Sequence, residues 1–342
     1  MLFQAFPAQN LSAFLPTLMT FALMSSRTPT TLLKALGDDE QLASEIKLLS
    51  SSAMSACLKN WYILKGAGWN RRTTIRSGMT TNGILGIIGC PILEDEIVYA
   101  VKADRELSEV YVVENEDSRN LFRKLRERVP DAKTTFIELE DLPTLRPNGF
   151  GIAVLMKPMA LHEDPKKLLA EVEKAIATLA PNCRSVLLFY GLCGNAFKDL
   201  PSQYAERPLT MLTDQQGRPV DDCIATVLGG TDGYYKLLKR YPGVFYLTPA
   251  WAENWRDLIN KMEMTRGIEK GDLSMLKWMF DSAGYKKALK IQTGLADEVA
   301  FERQVQDFIQ VFNFEKLELE KEWITLDAVD RAYENAKGRM NE

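Results

Sequence analysis

The sequence predicts an α/β protein with a mainly parallel wound sheet and helices on both faces of that sheet. From residue 84 onwards, short apolar runs alternate with helical segments, which is the pattern of βαβ units. Runs such as IAVLM are apolar at every position, as expected for strands that are buried on both faces. The predicted strands are 84–89, 109–113, 134–138, 152–156, 185–189, 208–212, 244–248 and 287–291.

Two of the helical segments carry an apolar stripe that predicts packing on the sheet. The first begins at Asp164 and Pro165, a capping residue followed by a proline at the first helical position. Residues spaced three or four apart lie on one face of a helix. The two stripes are Leu168, Leu169, Val172, Ile176 and Leu179, and Phe301, Val305, Phe308, Ile309 and Phe312.

Residues 1–80 show helical patterns and no strand pattern, so we expect a helical N-terminal extension suited to contacts within an oligomer. The α/β domain is expected over 84–330, and a helix end or tail over 331–342. The uncharged stretch 11–24 is too short to span a bilayer and contains Pro16. No basic residue precedes it, unlike in a secretory signal. We therefore expect no stable membrane span.

The composition excludes several classes of function. The chain has 42 basic and 46 acidic residues and a net charge of -4, which argues against a nucleic-acid partner. Its 5 cysteines include no CxxC pair, so we expect a reducing compartment, namely the cytoplasm. His162 is the only histidine, which excludes HExxH zinc chemistry and iron sites with two histidines.

Cys90, Cys193 and Cys223 each follow a predicted strand. In open α/β sheets the carboxyl ends of the strands form the ligand-binding crevice, so the three thiols are candidates for one shared site. Three thiolates suit either an Fe-S cluster with one open iron or a zinc ion with an open fourth position. The structural alternative is that each cysteine is a small buried hydrophobe, which is our expectation for Cys57 and Cys183.

Further residues around these thiols are candidates for chemistry. Cys193 is a candidate nucleophile, His162 a general base or fourth ligand, and Asp222 a carboxylate that holds the imidazole or caps a helix. Glu253 is a candidate acid or base on a helix after the strand 244–248. The residues expected to line the cofactor site are Gly191, Gly194, Asn195 and Trp251.

The segments GIIGCPILEDEI, YGLCGNA, DDCIATVLGG and YPGVFYLTPAWAENW together resemble a prokaryotic family of uncharacterised proteins, a domain of unknown function. The likeness covers roughly 84–330. It differs at Asp221, where the family has histidine, and at Ala250, where it has glycine. The matching positions are Cys90, His162, Tyr190, Gly191, Cys193, Gly194, Asn195, Asp222, Cys223 and Trp251.

Members of that family are often encoded beside corrinoid-dependent methyltransferases, which implies a place in one-carbon or methyl metabolism. The leading interpretation is thus a metal-thiolate enzyme that acts on a small molecule, with a corrinoid protein or methyltransferase as candidate partner. One alternative is a metal-free transferase or hydrolase that uses Cys193 and His162. The other is an accessory protein that binds a ligand or corrinoid without turnover.

Overall fold

The computed structural model describes residues 81–204, 209–261, 265 and 272–341, with the backbone alone at 201–202. The helical extension predicted over 1–80 and the structural role predicted for Cys57 lie outside these residues.

The predicted strands are present in the structure, with ends that differ by at most two residues from the predicted ones. The strand β9 was not predicted, because its sequence EKLE is charged at three of four positions. The strands are β1 Gly83–Gly89, β2 Leu107–Val113, β3 Lys133–Ile137, β4 Phe150–Met156, β5 Ser185–Phe189, β6 Leu209–Met211, β7 Val244–Leu247, β8 Lys287–Lys290 and β9 Glu315–Glu318.

The strands form two parallel sheets. A six-stranded sheet has the order β3-β2-β4-β1-β5-β6, and a three-stranded sheet has the order β7-β8-β9. The carboxyl ends of β1, β4, β5 and β6 therefore share one edge of the larger sheet. The loops that follow these strands carry the predicted site residues Cys90, His162, Cys193 and Cys223.

Helices separate most of the strands, and the α/β fold class is confirmed. The two predicted apolar stripes lie on α3 and α8, and nearly all of their residues are buried. The helices are α1 Glu94–Ala103, α2 Arg119–Arg128, α3 Pro165–Leu179, α4 Leu200–Gln203, α5 Thr231–Arg240, α6 Pro249–Lys261, α7 Ser274–Ser282, α8 Glu298–Phe312 and α9 Asp327–Gly338.

The C-terminal helix α9 returns to the larger sheet, where it packs on β5, β6 and α1. The hydroxyl of Tyr333 donates to Asp104 at 2.9 Å, and Lys337 forms an ion pair with the same carboxylate at 2.6 Å. Residues 339–341 continue as a short 3-10 helix. Within the described ranges, every helix is too short or too polar to cross a membrane.

A candidate thiolate site at the carboxyl edge of the sheet

Cys193 and Cys223 are brought together by two loops that run side by side. The loop after β5 donates backbone hydrogen bonds from Leu192 to Val220 at 2.8 Å and from Cys193 to Asp221 at 3.2 Å. The two Sγ atoms lie 3.6 Å apart, and both side chains are buried. The loops that follow β5 and β6 are thus in contact through the sulfurs of two free cysteines.

Gly191 allows this close approach. A Cβ atom at position 191 would lie 2.5 Å from the carbonyl carbon of Asp222 and 2.8 Å from the backbone nitrogen of Cys223. These distances are too short for any side chain, so that the backbone before Cys223 packs directly on the glycine. Gly191 therefore allows the contact because it has no Cβ atom.

The chain after Gly191 makes a left-handed turn. Cys193, Gly194 and Asn195 have φ angles of 44°, 70° and 64°. A left-handed conformation costs a non-glycine residue roughly 1–2 kcal/mol, and such strain is often found at functional sites. The turn buries the thiol of Cys193 while Gly194 and Asn195 stay exposed.

Cys90 is the third thiol of the site. It directly follows β1 and is buried, and it is close enough to Cys223 for that thiol to shift its pKa. Among the described residues, only Glu94, Asp95 and Glu253 bring three candidate ligand atoms within 4.8 Å of one another. The three sulfurs are therefore not all within 4.8 Å of one another. The thiols therefore form a row with Cys223 in the middle.

The pKa values of the three thiols are shifted in different directions. Interactions with Cys193 and Cys90, together with a hydrogen bond from the backbone of Gly191, hold the pKa of Cys223 well below its usual value although burial opposes this. The pKa values of Cys193 and Cys90 are raised well above the usual value, first by the hydrogen bond each shares with Cys223 and then by burial. Of the three thiols, Cys223 is therefore the one whose pKa is lowered, and the role of Cys193 as nucleophile stays a prediction.

The geometry of the sulfur pair fits a metal ion. Two thiolates on one tetrahedral zinc, each about 2.3 Å from it, lie roughly 3.8 Å apart, close to the observed 3.6 Å. Thiolates on two different irons of a cluster lie much farther apart. The pair therefore suits two ligands of a single ion, and Cys90, at the other end of the row, would have to move toward Cys193 to bind the same ion.

His162 lies in the short 3-10 helix Met159–Glu163 after β4 and is half-buried. Desolvation lowers the pKa of His162 to about 4, and the carboxylate of Asp222 opposes this shift. The imidazole is therefore neutral at pH 7, which is the form that ligates metals, and its lowered pKa makes it a weak base. Asp222 caps the 3-10 helix Cys223–Val227 by accepting from Ile224 at 2.8 Å.

Tyr190 lies beneath the thiols, and the candidate residues proposed from the sequence did not include it. It is buried, its hydroxyl donates to the carbonyl of Gly89 at 3.4 Å, and its pKa is raised by burial and then by the charges of the nearby thiols. Its position between β5 and Gly191 was the available sequence signal.

Trp251 and Glu253, both on α6, lie in other surroundings. The centroid of the Trp251 ring lies 4.8 Å from that of Phe245 and 6.0 Å from that of Phe308, inside an aromatic cluster. Glu253 forms ion pairs with Lys124 at 2.8 Å and Arg123 at 3.2 Å. Although partial burial opposes the shift, Lys124 and its other partners lower the pKa of Glu253.

Glu94, Asp95 and Lys124 form a buried charged cluster that the sequence analysis did not identify. Lys124 Nζ lies 2.8 Å from Glu94 Oε1 and 2.9 Å from Asp95 Oδ2, and all three side chains are about 1 % exposed. The acidic run EDE is also typical of an ordinary helix start. The available signal was that this run begins four residues after a candidate ligand, Cys90.

Cys183 lies away from these thiols. It precedes β5, whereas Cys193 follows it, so Cys183 is at the amino edge of the sheet. It is half-buried, and burial raises its pKa to about 12.

Comparison with known proteins identifies a family without an assigned activity. A family model described as "Protein of unknown function (DUF1638)" matches residues 156–329. That range includes His162, Cys193 and Cys223 but not Cys90. Neither the curated proteins nor the solved structures contain a match.

Proposed function

We propose that this chain, which belongs to the DUF1638 family, is a metal-thiolate enzyme that holds one zinc ion on Cys193, Cys223 and Cys90. The observation that carries the proposal is the 3.6 Å separation of the Cys193 and Cys223 sulfurs, which matches two ligands of one tetrahedral ion. A [4Fe–4S] cluster fits this pair less well, because each of its irons carries a single cysteine ligand.

The residues of the site suit binding of a cation. The pKa of Cys223 is lowered, and the thiols would release their protons on binding, since metal ligands must be deprotonated. Zinc with an open fourth position supplies a Lewis acid that polarises or activates a bound substrate. His162 is neutral at pH 7 and is the candidate to complete the site or to orient the substrate.

The reaction class we propose is transfer of a methyl or other one-carbon group to or from a small molecule. This assignment, with a corrinoid protein or methyltransferase as partner, rests on the family resemblance, while the site itself contributes the thiolates. A buried thiolate with two thiol neighbours is compatible with alkyl-group chemistry, since the thiolate form of cysteine is the nucleophile.

A second candidate function is a metal-free cysteine nucleophile, and the lowered pKa of Cys223 favours it. In this case the Cys223 thiolate attacks a carbon atom of the substrate, and the bond from that carbon to the leaving group breaks. The thiols of Cys193 and Cys90 stabilise the negative charge of the thiolate before the attack. The neutral state of His162 argues against the pairing of Cys193 with an imidazolium. A protein that binds a ligand in this site without turnover would require the same residues and no reaction.

Metal analysis of protein purified without oxygen separates these functions. We expect about one zinc per chain in the wild type and in Cys183→Ser, whose thiol lies outside the site. Cys193→Ser and Cys223→Ser are expected to lose most of the metal while they keep the wild-type circular dichroism spectrum. Folded wild-type protein without metal, even after addition of zinc, would leave the metal-free nucleophile as the better account.

A further inference from the structure

The free thiols of Cys193 and Cys223 are close to the geometry of a disulfide bond. Their Sγ atoms lie 3.6 Å apart. The two sulfurs of a disulfide are about 2.05 Å apart, so these two have to approach each other by roughly 1.5 Å. Small rotations about the Cα–Cβ bonds of both cysteines cover this distance. The bond can therefore form without a rearrangement of the two loops.

The backbone already holds the two cysteines side by side. Cys193 donates a backbone hydrogen bond to Asp221, two residues before Cys223, and the missing Cβ of Gly191 lets the chain at Asp222 pack against it. Chain segments joined by backbone hydrogen bonds run about 5 Å apart, as neighbouring strands do. A disulfide bridges Cα atoms about 4.4–6.8 Å apart, so the spacing of the two loops suits it.

Cys90 is less well placed to join either of these sulfurs. It lies on a third loop, where it precedes the 3-10 helix Pro91–Leu93 and accepts a backbone hydrogen bond from Leu93 at 2.9 Å. The three sulfurs are not all within 4.8 Å of one another, so Cys90 is not close to both members of the pair. Cys183 is at the opposite edge of the sheet. The geometry thus selects Cys193 and Cys223.

The burial of the pair favours a small oxidant. Cys193 is 8 % exposed and Cys223 is 5 % exposed, which keeps the disulfide of another protein away from both sulfurs. Gly194 and Asn195, which directly follow Cys193, are exposed, so the pair lies just beneath the surface. Hydrogen peroxide, with two heavy atoms, is of a size that can reach it.

We propose that Cys193 and Cys223 are an oxidative modification site, at which hydrogen peroxide joins the two sulfurs in a reversible disulfide. One sulfur attacks a peroxide oxygen, the O–O bond breaks, and the products are a sulfenic acid and one water. The other sulfur then attacks the sulfenic sulfur, the S–O bond breaks, and the hydroxyl group leaves with the thiol proton as a second water. A dithiol reductant reverses the change, because its own thiols are oxidised to a disulfide while the two cysteine thiols return.

The disulfide removes two sulfurs from metal binding. Cysteine binds metals as the thiolate, and a sulfur in a disulfide carries no such charge. Peroxide is therefore expected to empty the zinc site. This consequence rests on the proposed function, whereas the disulfide itself depends only on the contact between the two sulfurs.

Peptide mapping of the metal-free full chain after treatment with hydrogen peroxide tests the proposal. The protein is denatured in iodoacetamide and digested with trypsin without reductant, and cleavage after Lys198 separates the peptides of the two cysteines. We expect these peptides to be linked with the loss of two hydrogens, and dithiothreitol to release them. Cys183→Ser is the matched control and should form the same link. Cys193→Ser should stop at a sulfenic acid on Cys223, which dimedone traps.

Three results for the wild type would overturn the proposal: no linked peptides, a link from Cys223 mainly to Cys90, or oxidation of Cys193 and Cys223 to sulfinic acids without a link. If Cys193→Ser does not fold, the wild-type map decides by itself.

Zinc release from zinc-loaded protein, followed with a coloured chelator, separates this proposal from the proposed function. We expect most of the zinc to leave as the disulfide forms and to bind again after reduction. Wild type that forms the disulfide but never binds zinc would refute the metal site and support the modification site. Full zinc content in protein whose Cys193 and Cys223 are completely linked would refute the control of zinc binding by peroxide.

Discussion

The sulfurs of Cys193 and Cys223 lie 3.6 Å apart although 30 residues separate them in the sequence. Their contact depends on two parallel strands ending at the same edge and on a glycine that lets the two loops touch. It also contributes to the lowered pKa of Cys223, which interacts with both neighbouring thiols.

The pH dependence of alkylation should identify Cys223 as the thiolate. In metal-stripped protein, iodoacetamide is expected to label Cys223 with a midpoint well below the usual thiol pKa of about 8.5, whereas Cys90 and Cys193 need alkaline pH. Peptide mass spectrometry gives the midpoint for each cysteine. Cys193→Ala removes a donor and should raise the midpoint of Cys223. Equal midpoints for all three thiols would contradict the charge assignment.

Gly191→Ala should damage both the fold and the site. The added methyl group has no room beside Asp222 and Cys223, so we expect a loss of about 1–3 kcal/mol in the free energy of unfolding and reduced zinc content. Urea unfolding and metal analysis measure the two effects. Gly338→Ala is the control, because that glycine lies in α9 with open space around it. A stable Gly191→Ala protein with full metal content would show that the loops tolerate separation.

Much of this arrangement follows from the sequence, and the rest depends on tertiary contacts. Largely apolar runs such as β5 identified buried strands, and the position of Cys90 after one of them indicated at which edge of the sheet it lies. The charged β9 gave no such signal. The direct packing of Gly191 on Cys223 could not be predicted, because it depends on the path of the loop after β6. The burial of Glu94 likewise depends on Lys124, which reaches it from α2.

Lys124→Met should be strongly destabilising. The variant leaves Glu94 and Asp95 buried without their shared cation, and breaking a buried ion pair in this way costs about 3–5 kcal/mol. Lys287→Met, in the exposed pair with Glu315 at 3.1 Å, is the matched control and should lose less than about 1 kcal/mol. Urea unfolding at pH 7 compares the two. Equal losses would mean that the buried cluster contributes no more than a surface pair.

His162 should make the protein less stable as the pH falls. Its pKa is about 4 in the folded chain and about 6.5 when unfolded, so between these values only the unfolded state binds the proton. The unfolding free energy of wild type minus that of His162→Gln should therefore fall from pH 7 to pH 5, by at most about 1.4 kcal/mol per pH unit. Unfolding of metal-free protein at several pH values measures this difference.

The difference between the two unfolding free energies excludes the effect of other groups whose pKa values are shifted. Burial raises the pKa of Glu96 to about 8, and its effect on stability has the opposite sign because the folded state holds the extra proton. Glu96 is present in both proteins, so that its contribution cancels. A difference that does not change with pH would mean that His162 titrates as a solvated imidazole.

X-ray absorption at the zinc edge of the anaerobically purified protein tests the central claim most directly. We expect a shell of about three sulfur atoms at about 2.3 Å from the zinc, which falls to two sulfurs in any Cys90→Ser protein that still holds the ion. The same shell should persist in Cys183→Ser. A spectrum with only nitrogen and oxygen neighbours, or a folded protein that takes up no zinc, would contradict a metal site on Cys90, Cys193 and Cys223.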